Sequence, residues 1–347
     1  MIRRFLLFLC LIAPLAQADS PPLDSHQLAR LEPLEATLAA RYGFSADEIH
    51  QLFAQIRYDP SVMASMNAPA ENLPWWRYRA IFITPERIDA GVAFLATHQA
   101  SLQSAAQQYG VARALIVAIL GVETYYGKNM GDIPVLYANA TLYLTHPRRY
   151  AFFGHQLIDF LRLCRENHLD PLGIKGSYAG AMGMPQFIAS SYLRYAVDAD
   201  GHGADLWTSM PDITASVAHY FAASGWHPGQ PVAMPAKLMD DAHPDAFVSA
   251  NGTGHFTLSQ LAAAGIRPRG NAQDIDPDLP VGLLRLVGKN GPDYFICWNN
   301  FAVIQRYNSS PLYAMAVALL MQDIRNKRSG GEPTTPLTVT TSTPFDQ

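Results

Sequence analysis

Glu123 is the residue whose type and surroundings most directly suggest chemistry. The residues that precede it at helical spacing are apolar, namely Ile119, Ile116, Leu115 and Ala112. A carboxyl group at the end of such a buried helix face loses hydration, which raises its pKa and keeps a proton available near neutral pH. Gly127 predicts a helix stop that would place Glu123 at the end of its element, beside a cleft. The spacing alone favours equally a general acid and a core glutamate neutralised by an arginine.

The segments around Glu123 have mostly helical patterns. Ser45-Ala46-Asp47-Glu48 is typical of a capping box and predicts the start of a helix. Residues 155–166 and 212–224 predict two further helices, and a last helix is predicted after Pro311. Between about 229 and 297 the sequence has more Pro, Gly, Asp and Asn with short apolar runs, which indicates a small strand-containing insertion.

The beginning of the chain has the features of a secretory signal peptide. Arg3 and Arg4 precede an apolar run, and Ala16-Gln17-Ala18 offers small residues where a signal peptidase would cut. The run is shorter than the ~20 apolar residues of a membrane-spanning helix. Cys10 lies inside the run after bulky residues, which argues against lipidation. We therefore expect a soluble, monomeric chain in the periplasm that begins at Asp19.

The composition is that of a folded protein with a large core. Of 347 residues, 49% are hydrophobic and 16% are charged, which excludes a globally disordered chain and allows two or three packed units. The formal net charge of -4 gives no support to general nucleic-acid or membrane-surface binding, because such proteins normally carry a basic excess. Removal of the signal peptide leaves Cys164 and Cys297, and either a disulfide or two buried thiols is compatible with export.

Several motifs, taken in order along the chain, resemble those of one family. The segment Gly121-Val122-Glu123-Thr124-Tyr125-Tyr126-Gly127 resembles the catalytic signature of the lytic murein transglycosylase B family. One such motif would be weak evidence for the family, whereas several motifs in the expected order are specific evidence for it. The resemblance covers roughly residues 30 to 325 and continues through Pro147-Arg148-Arg149, Lys175 to Gly183, Gln186-Phe187, Ser216 to Phe221, Asn300-Phe301 and Arg306-Tyr307-Asn308.

The resemblance implies a mainly α fold of the α+β type. Members of this family have a lysozyme-like helical core, flanked by a helical N-terminal domain and a small inserted β domain. On this sequence, that organisation predicts a signal peptide at 1–18, a helical N-terminal domain at 19–100, a lysozyme-like catalytic core at 101–228, a small strand-containing insertion at 229–297, a return to the core with a C-terminal helix at 298–326 and a disordered tail at 327–347.

The resemblance also implies a reaction on the glycan strands of peptidoglycan that requires no cofactor. The family cleaves the β-1,4 bond between N-acetylmuramic acid and N-acetylglucosamine without adding water. The C6 hydroxyl of the muramic acid attacks its own anomeric carbon and leaves a 1,6-anhydro end. One glutamate, here Glu123, protonates the leaving oxygen and then deprotonates that hydroxyl. The resemblance further implies that the acetamido group of the substrate stabilises the intermediate.

Two other functions stay open at this point. Most glycoside hydrolases use two carboxylates on opposite sides of the scissile bond, and Asp132 is the only nearby acid that the sequence suggests for a lysozyme-type muramidase. A non-catalytic peptidoglycan-binding protein would keep the groove without turnover. Proteins of cell-wall synthesis or division are compatible partners that the sequence does not identify, and nucleic acid is not expected as a partner.

The family match assigns hydrogen-bonding roles around the reacting sugar. Ser177 and Asn308 correspond to residues that hydrogen-bond near this sugar. Gln186 and Phe187 correspond to a binding pair around the cleavage site. Because these roles come from matching positions, each of them is an expectation about the substrate-binding groove.

The match also assigns aromatic and basic positions in the groove. Arg148 and Arg149 correspond to residues that meet muramyl lactate or peptide carboxylates, for which a guanidinium fork is suited. Aromatic side chains with a polar edge are well suited to bind sugars, because the ring face packs against the sugar and the polar edge forms hydrogen bonds. The groove-lining aromatic residues of the family correspond to Tyr78, Tyr220, Tyr307 and Tyr313.

A structural calcium site is the last expectation. Asp198-Ala199-Asp200-Gly201-His202-Gly203 resembles the start of a calcium loop with oxygen ligands at alternate positions. Related enzymes carry such a loop here, and Asp212 aligns with a later ligand. His202 departs from the pattern because imidazole is a poor calcium donor, so a metal-free turn is an equally good interpretation.

Overall fold

The computed structural model describes residues 20–330, which form a mainly helical protein with one small five-stranded sheet. The fold class predicted from the sequence is therefore confirmed. The signal peptide predicted at 1–18 and the tail beyond residue 330 lie outside the described residues.

The first part of the described chain consists of short helices with clear start signals. The predicted capping box is confirmed, since the Ser45 side chain accepts from the Glu48 amide and the Glu48 side chain accepts from the Ser45 amide. Pro60 and Pro85 each begin a helix, in keeping with the preference of proline for the first turn. The helices are α1 (Ser25–Ala29), α2 (Glu32–Tyr42), α3 (Ala46–Phe53), α4 (Pro60–Asn67), α5 (Trp75–Phe82), α6 (Pro85–Thr97) and α7 (Gln99–Tyr109), with a 3-10 turn at Ala70–Asn72.

A central helix, α8 (Arg113–Thr124), is buried along almost its whole length. The helices that follow it are α9 (Val135–Thr145), α10 (Tyr150–Glu166), α11 (Ala189–Tyr195), α12 (Met210–Ala223), α14 (Asn299–Tyr307) and α15 (Pro311–Arg328). Helices that are apolar on every face occupy the middle of a packed domain, and α8 packs against α6, α7, α12 and α15.

The helices predicted from the sequence are present with shifted bounds. The helix expected at 155–166 is the second part of α10, and the one expected at 212–224 is α12. The last helix continues to Arg328, two residues beyond the predicted end of the core at 326.

The strand-containing insertion forms a sheet with its own apolar core. The elements are β3 (Ala233–Leu238), β4 (Val248–Ser249), α13 (Leu258–Ala263), β5 (Ile266–Pro268), β6 (Val281–Val287) and β7 (Pro292–Trp298), while β1 (Ile133–Pro134) and β2 (Lys175–Gly176) pair elsewhere. The strand order of the sheet is β4-β6-β7-β3-β5, with β4 parallel to β6 and the other neighbours antiparallel. Leu261, Ile266 and Ile296 belong to the buried cluster of this unit.

One buried cluster connects the N-terminal helices with the core and extends from Leu23 to Ile324. The predicted boundary at residue 100 falls within α7, and the division into domains stays a prediction. Within residues 20–330, no single helix has the length and apolar character needed to cross a membrane, although α7 and α8 would pass that test as a pair bent by 115°.

Candidate active site

Glu123 lies in the last turn of α8 with only 8% of its surface exposed. Burial raises the pKa of its carboxyl group to about 8, while the hydrogen bond from Tyr313 lowers this pKa and the charge of Glu71 raises it. None of the ion pairs found within residues 20–330 involves Glu123. A proton therefore neutralises this carboxyl group at neutral pH, as a general acid requires.

The end of α8 is formed by two tyrosines rather than by the predicted glycine. Tyr125 and Tyr126 both have positive φ angles, 52° and 59°, so the helix ends at Thr124 and not at Gly127. A positive φ is unfavourable for residues with a Cβ atom, so such a turn persists only where its surroundings hold it. The chain thus leaves the helix one residue after Glu123.

Tyr126 supplies part of that support because its ring fills a space between two helices. Its hydroxyl donates to the carbonyl of Arg87 at 2.9 Å. A Cβ atom on Gly91 of α6 would lie 2.5 Å from the Tyr126 hydroxyl, and one on Gly121 of α8 would lie 2.7 Å from it. Both glycines are therefore needed for the position of this ring.

Thr124 connects the same turn to the far side of the site. Its hydroxyl donates to the carbonyl of Met184 at 2.9 Å and accepts from the amide of Gly127 at 3.0 Å. The carbonyl of Thr124 accepts from the amide of Asn129 at 2.9 Å. These bonds fix the backbone next to Glu123 on both sides of the helix end.

Tyr313 holds the carboxyl group itself. Its hydroxyl donates to Glu123 Oε1 at 2.5 Å. Tyr313 stands in the first turn of α15, where its amide donates to the side chain of the N-cap residue Ser310 at 3.4 Å. Because Oε1 accepts the hydrogen bond from Tyr313, the acidic proton of Glu123 belongs on the other oxygen, Oε2.

Three of the four expected groove tyrosines, Tyr220, Tyr307 and Tyr313, form an aromatic cluster with Phe187 beside Glu123. Tyr307 stacks on Tyr313 with ring centroids 6.5 Å apart and contacts Tyr220 at 4.7 Å. Phe187 lies 5.9 Å from Tyr307 and 5.8 Å from Tyr220. Tyr307 and Tyr313 are almost fully buried, whereas Tyr220 is half-buried and donates its hydroxyl to the Arg306 carbonyl at 2.6 Å.

Glu71 is a residue of this site that sequence reasoning missed. It lies in the 3-10 turn before α5, and Asn308 Nδ2 donates to its Oε1 at 3.4 Å. Burial raises the pKa of Tyr78 well above its usual range, and the charges of Glu71 and Glu123 act in the same direction. Nothing in the sequence around residue 71 links it to position 123, because a fold contact between distant segments creates the relation.

Ser177 lies in a tight turn that follows β2. Its hydroxyl accepts from the Ala181 amide at 3.1 Å, and its amide donates to the Ala181 carbonyl at 2.9 Å. The hydroxyl keeps its own hydrogen for a further partner. A Cβ atom on Gly176 would lie 2.1 Å from the Ala181 carbonyl, so the residue before Ser177 has to be glycine.

Gln186 adopts a positive φ of 52° and is anchored by its side-chain amide. Nε2 of Gln186 donates to the carbonyls of Met130 and Gly183 at 3.0 and 2.9 Å. Its neighbour Phe187 pairs with Met182 through backbone hydrogen bonds, and Met182 also forms a bridge with Gly176. The segment that carries Ser177 is thereby joined to the segment that carries Gln186 and Phe187.

Arg148 and Arg149 lie at the start of α10, in different environments. The guanidinium of Arg149 covers the rings of Phe152 and Phe153 at 4.5 and 5.4 Å, and this side chain is half-buried. Arg148 is exposed. Phe153 shares a buried cluster with Tyr178, which follows Ser177, so both arginines lie on the side of the molecule that carries the Ser177 turn.

The three aspartates of the predicted calcium loop come together. Carboxylate oxygens of Asp198, Asp200 and Asp212 lie within 4.8 Å of one another, as ligands around one calcium ion at 2.3–2.6 Å would. Asp212 is fully buried, and its two oxygens accept from the amides of Ala199 and Asp205 at 2.7 and 2.9 Å. The donor set is all oxygen and fits a hard cation. The imidazole Nδ1 of His202 contacts Asp200 at 3.1 Å.

The structure also bears on the second carboxylate and on the two cysteines. Asp132 is exposed, and the carboxylate whose charge acts on Glu123 is Glu71. Cys164 and Cys297 are both buried free thiols, so the disulfide alternative is wrong.

The comparisons with known proteins agree with this geometry. A family model described as the transglycosylase SLT domain matches residues 27–322 of the 347-residue chain. The chain belongs to this family. Membrane-bound lytic murein transglycosylase B of Escherichia coli K12 is 39% identical to it over 295 residues, which cover 82% of the chain and 79% of that protein.

Solved structures of other transglycosylases resemble this SLT-family member over nearly their whole length. The lytic transglycosylase Slt35 of E. coli, in complex with calcium, matches with a TM-score of 0.78 at 37% identity. The match covers 92% of this chain and 100% of the Slt35 chain. SltB3 of Pseudomonas aeruginosa, in complex with NAG-anhNAM-pentapeptide, matches with a TM-score of 0.77 at 32% identity. The match covers 89% of this chain and 82% of the SltB3 chain. This SLT-family member is therefore a peptidoglycan lytic transglycosylase, and neither the muramidase nor the non-catalytic alternative is favoured.

Proposed function

We propose that this transglycosylase cleaves the β-1,4 bond between N-acetylmuramic acid and N-acetylglucosamine and leaves a 1,6-anhydromuramic acid end, with Glu123 as acid and then base. The observation that carries the proposal is the buried carboxyl group of Glu123 at the end of α8, held on one oxygen by Tyr313. Its raised pKa, about 8, supports the protonated form that a general acid needs. The SltB3 complex with NAG-anhNAM-pentapeptide supports the same substrate class.

The reaction needs one proton that leaves Glu123 and returns to it. Oε2 of Glu123 protonates the glycosidic oxygen as its bond to the anomeric carbon breaks. The resulting carboxylate then takes the proton of the muramic acid C6 hydroxyl while that oxygen bonds to the anomeric carbon. Because the C6 oxygen is already attached to the same ring, the second step gains from proximity and needs no activated water.

The residues assigned by family resemblance have contacts that suit their roles. Ser177 keeps a hydroxyl hydrogen for the sugar, and the half-buried Tyr220 keeps part of its ring accessible. The exposed guanidinium of Arg148 has the freedom to meet lactyl or peptide carboxylates. The position of Arg149 over two phenylalanine rings gives it a more fixed orientation for the same task.

A calcium ion is proposed at Asp198, Asp200 and Asp212. The grouping of their oxygens within 4.8 Å and the calcium complex of Slt35 support this site. Bound calcium would supply charge compensation for the three carboxylates and fix the loop before α12. The ion has no part in the glycosidic chemistry proposed above.

The enzyme is proposed to act in the periplasm after removal of residues 1–18. The charged start, apolar run and small residues of this segment support export, and the substrate lies outside the cytoplasm. Sequencing of the mature protein should give Asp19 as the first residue in a soluble periplasmic fraction. An acylated cysteine at the N-terminus would overturn this location.

Glu123→Gln is the direct test of the assigned acid. The amide keeps the shape of the side chain and removes its proton, so turnover of purified sacculi should fall by at least ~10²-fold, the lower range for a general acid. Asp132→Asn, at an exposed carboxylate, is the matched control and should leave turnover near the wild-type value. Near-native turnover by folded Glu123→Gln would refute the role of Glu123.

A further inference from the structure

Two polar atoms beside Glu123 are buried without a hydrogen-bond partner among residues 20–330. They are Oε2 of Glu71 and the hydroxyl of Tyr78. Buried polar atoms are nearly always paired, because an unpaired one has lost its hydration without replacement. An unpaired carboxylate oxygen in an enzyme site is an acceptor available to a donor on the ligand.

The position of this acceptor is fixed by a short series of hydrogen bonds. Asn308 Nδ2 donates to Glu71 Oε1 at 3.4 Å, and Asn308 Oδ1 accepts from the amide of Ser310 at 3.0 Å. Ser310 accepts from the amide of Tyr313, whose hydroxyl donates to Glu123. The same residues therefore orient both carboxyl groups, and only one oxygen of Glu71 is used in doing so.

We propose that Glu71 is a second catalytic carboxylate, whose Oε2 accepts the N–H of the acetamido group on the muramoyl sugar that reacts. This inference rests on the function proposed above. A glycan offers hydroxyl and acetamide N–H donors, and an anionic acceptor gains most from the donor on which positive charge develops. That donor is the acetamide nitrogen when its carbonyl oxygen bonds to the anomeric carbon.

The steps balance without any further reactant. The bond from the anomeric carbon to the leaving oxygen breaks, Glu123 gives its proton to that oxygen, and the acetamide carbonyl oxygen bonds to the anomeric carbon. The five-membered ring formed by this bond is cationic, and its N–H continues to donate a hydrogen bond to Glu71. The C6 oxygen then bonds to the anomeric carbon, the acetamide oxygen leaves, and the C6 proton passes to Glu123.

The charges of the site agree with this sequence of states. Among the described residues, the ionisable groups that affect the pKa of Glu123 are Glu71, through its charge, and Tyr313, through its hydrogen bond. The charge of Glu123 in turn raises the pKa of Tyr78 and of Tyr307. The charge of Glu71 raises the pKa of Glu123, so one of the two carboxyl groups keeps a proton in the free enzyme. When Glu123 gives up that proton, the cation formed on the substrate compensates the second negative charge.

Glu71→Gln removes the charge with little change of shape and is the first test. The kcat on purified sacculi should fall by about 10²-fold, as for loss of one preorganised electrostatic contact. The loss of activity at high pH should begin at lower pH, because the neutral amide no longer raises the pKa of Glu123. Glu71→Asp keeps the charge, so its activity should decline at high pH where that of the wild type does.

A matched control and a modified substrate separate catalysis from folding. Glu32→Gln, at an exposed carboxylate in the first turn of α2, should match the wild type in rate and melting temperature. On strands whose muramoyl amines are free instead of acetylated, the wild type and Glu71→Gln should be equally slow, because the group that Glu71 binds is missing.

Two outcomes would overturn the assignment of Glu71. One is an unchanged kcat and pH profile in folded Glu71→Gln; the other is an equal loss on acetylated and free-amine strands, which would make Glu71 a structural residue. Either outcome leaves the proposed function intact if the wild type still forms anhydro ends. Reducing ends from the wild type would instead contradict the function itself.

Discussion

At the scale of single residues, the acid chemistry depends on how Glu123 is buried and held. Desolvation keeps its proton up to about pH 8, and the Tyr313 hydroxyl limits the rise of the pKa by stabilising the charged form. The charge of Glu71 acts in the opposite direction to that hydrogen bond. The two neighbours of Glu123 therefore set the pH range in which it can donate a proton.

Tyr313→Phe tests this balance. Loss of the hydroxyl removes the interaction that favours the carboxylate, so the pKa of Glu123 should rise above about 8. A general acid loses activity as the pH rises through its pKa, so the decline of kcat at high pH should move to higher pH. We expect kcat at pH 7 to fall because Oε1 is no longer oriented. The pH profile of kcat is the measurement, and an unchanged or acid-shifted decline would contradict the role of Tyr313.

Burial of Glu123 could be predicted from the sequence, whereas its electrostatic neighbours could not. Helical spacing of the apolar residues before position 123 is a local property, and the helix is buried as expected. Glu71 acts on Glu123 across more than fifty positions of sequence, through a 3-10 turn whose place is set by tertiary packing. Family resemblance gave Tyr313 as a groove residue, but not its hydrogen bond to the acid.

At the scale of elements, the end of α8 controls where the acid points. By sequence alone, Gly127 is the expected end of this helix, because glycine adopts positive φ readily. The helix ends earlier because Tyr126 packs between Gly91 and Gly121 and holds two tyrosines at positive φ. This kind of stop depends on contacts between helices and leaves no local pattern in the sequence.

Gly121→Ala should disturb the end of α8 without touching the acid. The added methyl group would lie 2.7–2.9 Å from the hydroxyl and ring of Tyr126, so the ring has to move. We expect a loss of about 1–3 kcal/mol in the free energy of unfolding, as for overpacking, together with a lower kcat. Denaturant unfolding measures the free energy of unfolding, and digestion of purified sacculi measures kcat.

A double-mutant cycle supplies the control for this change. In a Tyr126→Ala background the ring is absent, so Gly121→Ala should no longer destabilise the protein through that contact. Equal destabilisation in both backgrounds would mean that the glycine serves some other purpose.

The loop before α12 gives a prediction for calcium. If Asp198, Asp200 and Asp212 bind the ion in the native state, millimolar calcium should raise the melting temperature. Asp198→Ala, at an exposed ligand, should abolish the increase, while Asp240→Asn in the insertion should keep it. Thermal melts with calcium and with chelator decide this, and the absence of any calcium-dependent shift in the wild type would favour the metal-free turn.

At the scale of the whole molecule, one continuous buried cluster joins the N-terminal helices to the core. This packing places the 3-10 turn with Glu71 next to Asn308 and Glu123. These three residues come from segments that lie far apart in the sequence. The sequence predicted the order of helices and the strand-containing insertion, because periodicity and composition are local. How these segments pack around the acid follows only from the assembled fold.

Analysis of the digestion products is the most direct test of the proposed reaction. An internal attack by the C6 hydroxyl adds no water, so muropeptides released from purified sacculi should be lighter by one water than muramidase products. They should also resist borohydride reduction, and the exposed Asp132→Asn variant should release the same products. Mass spectrometry of the digest before and after borohydride treatment measures both properties. Anhydro ends are the predicted result, and predominantly reducing muramic acid ends would contradict it.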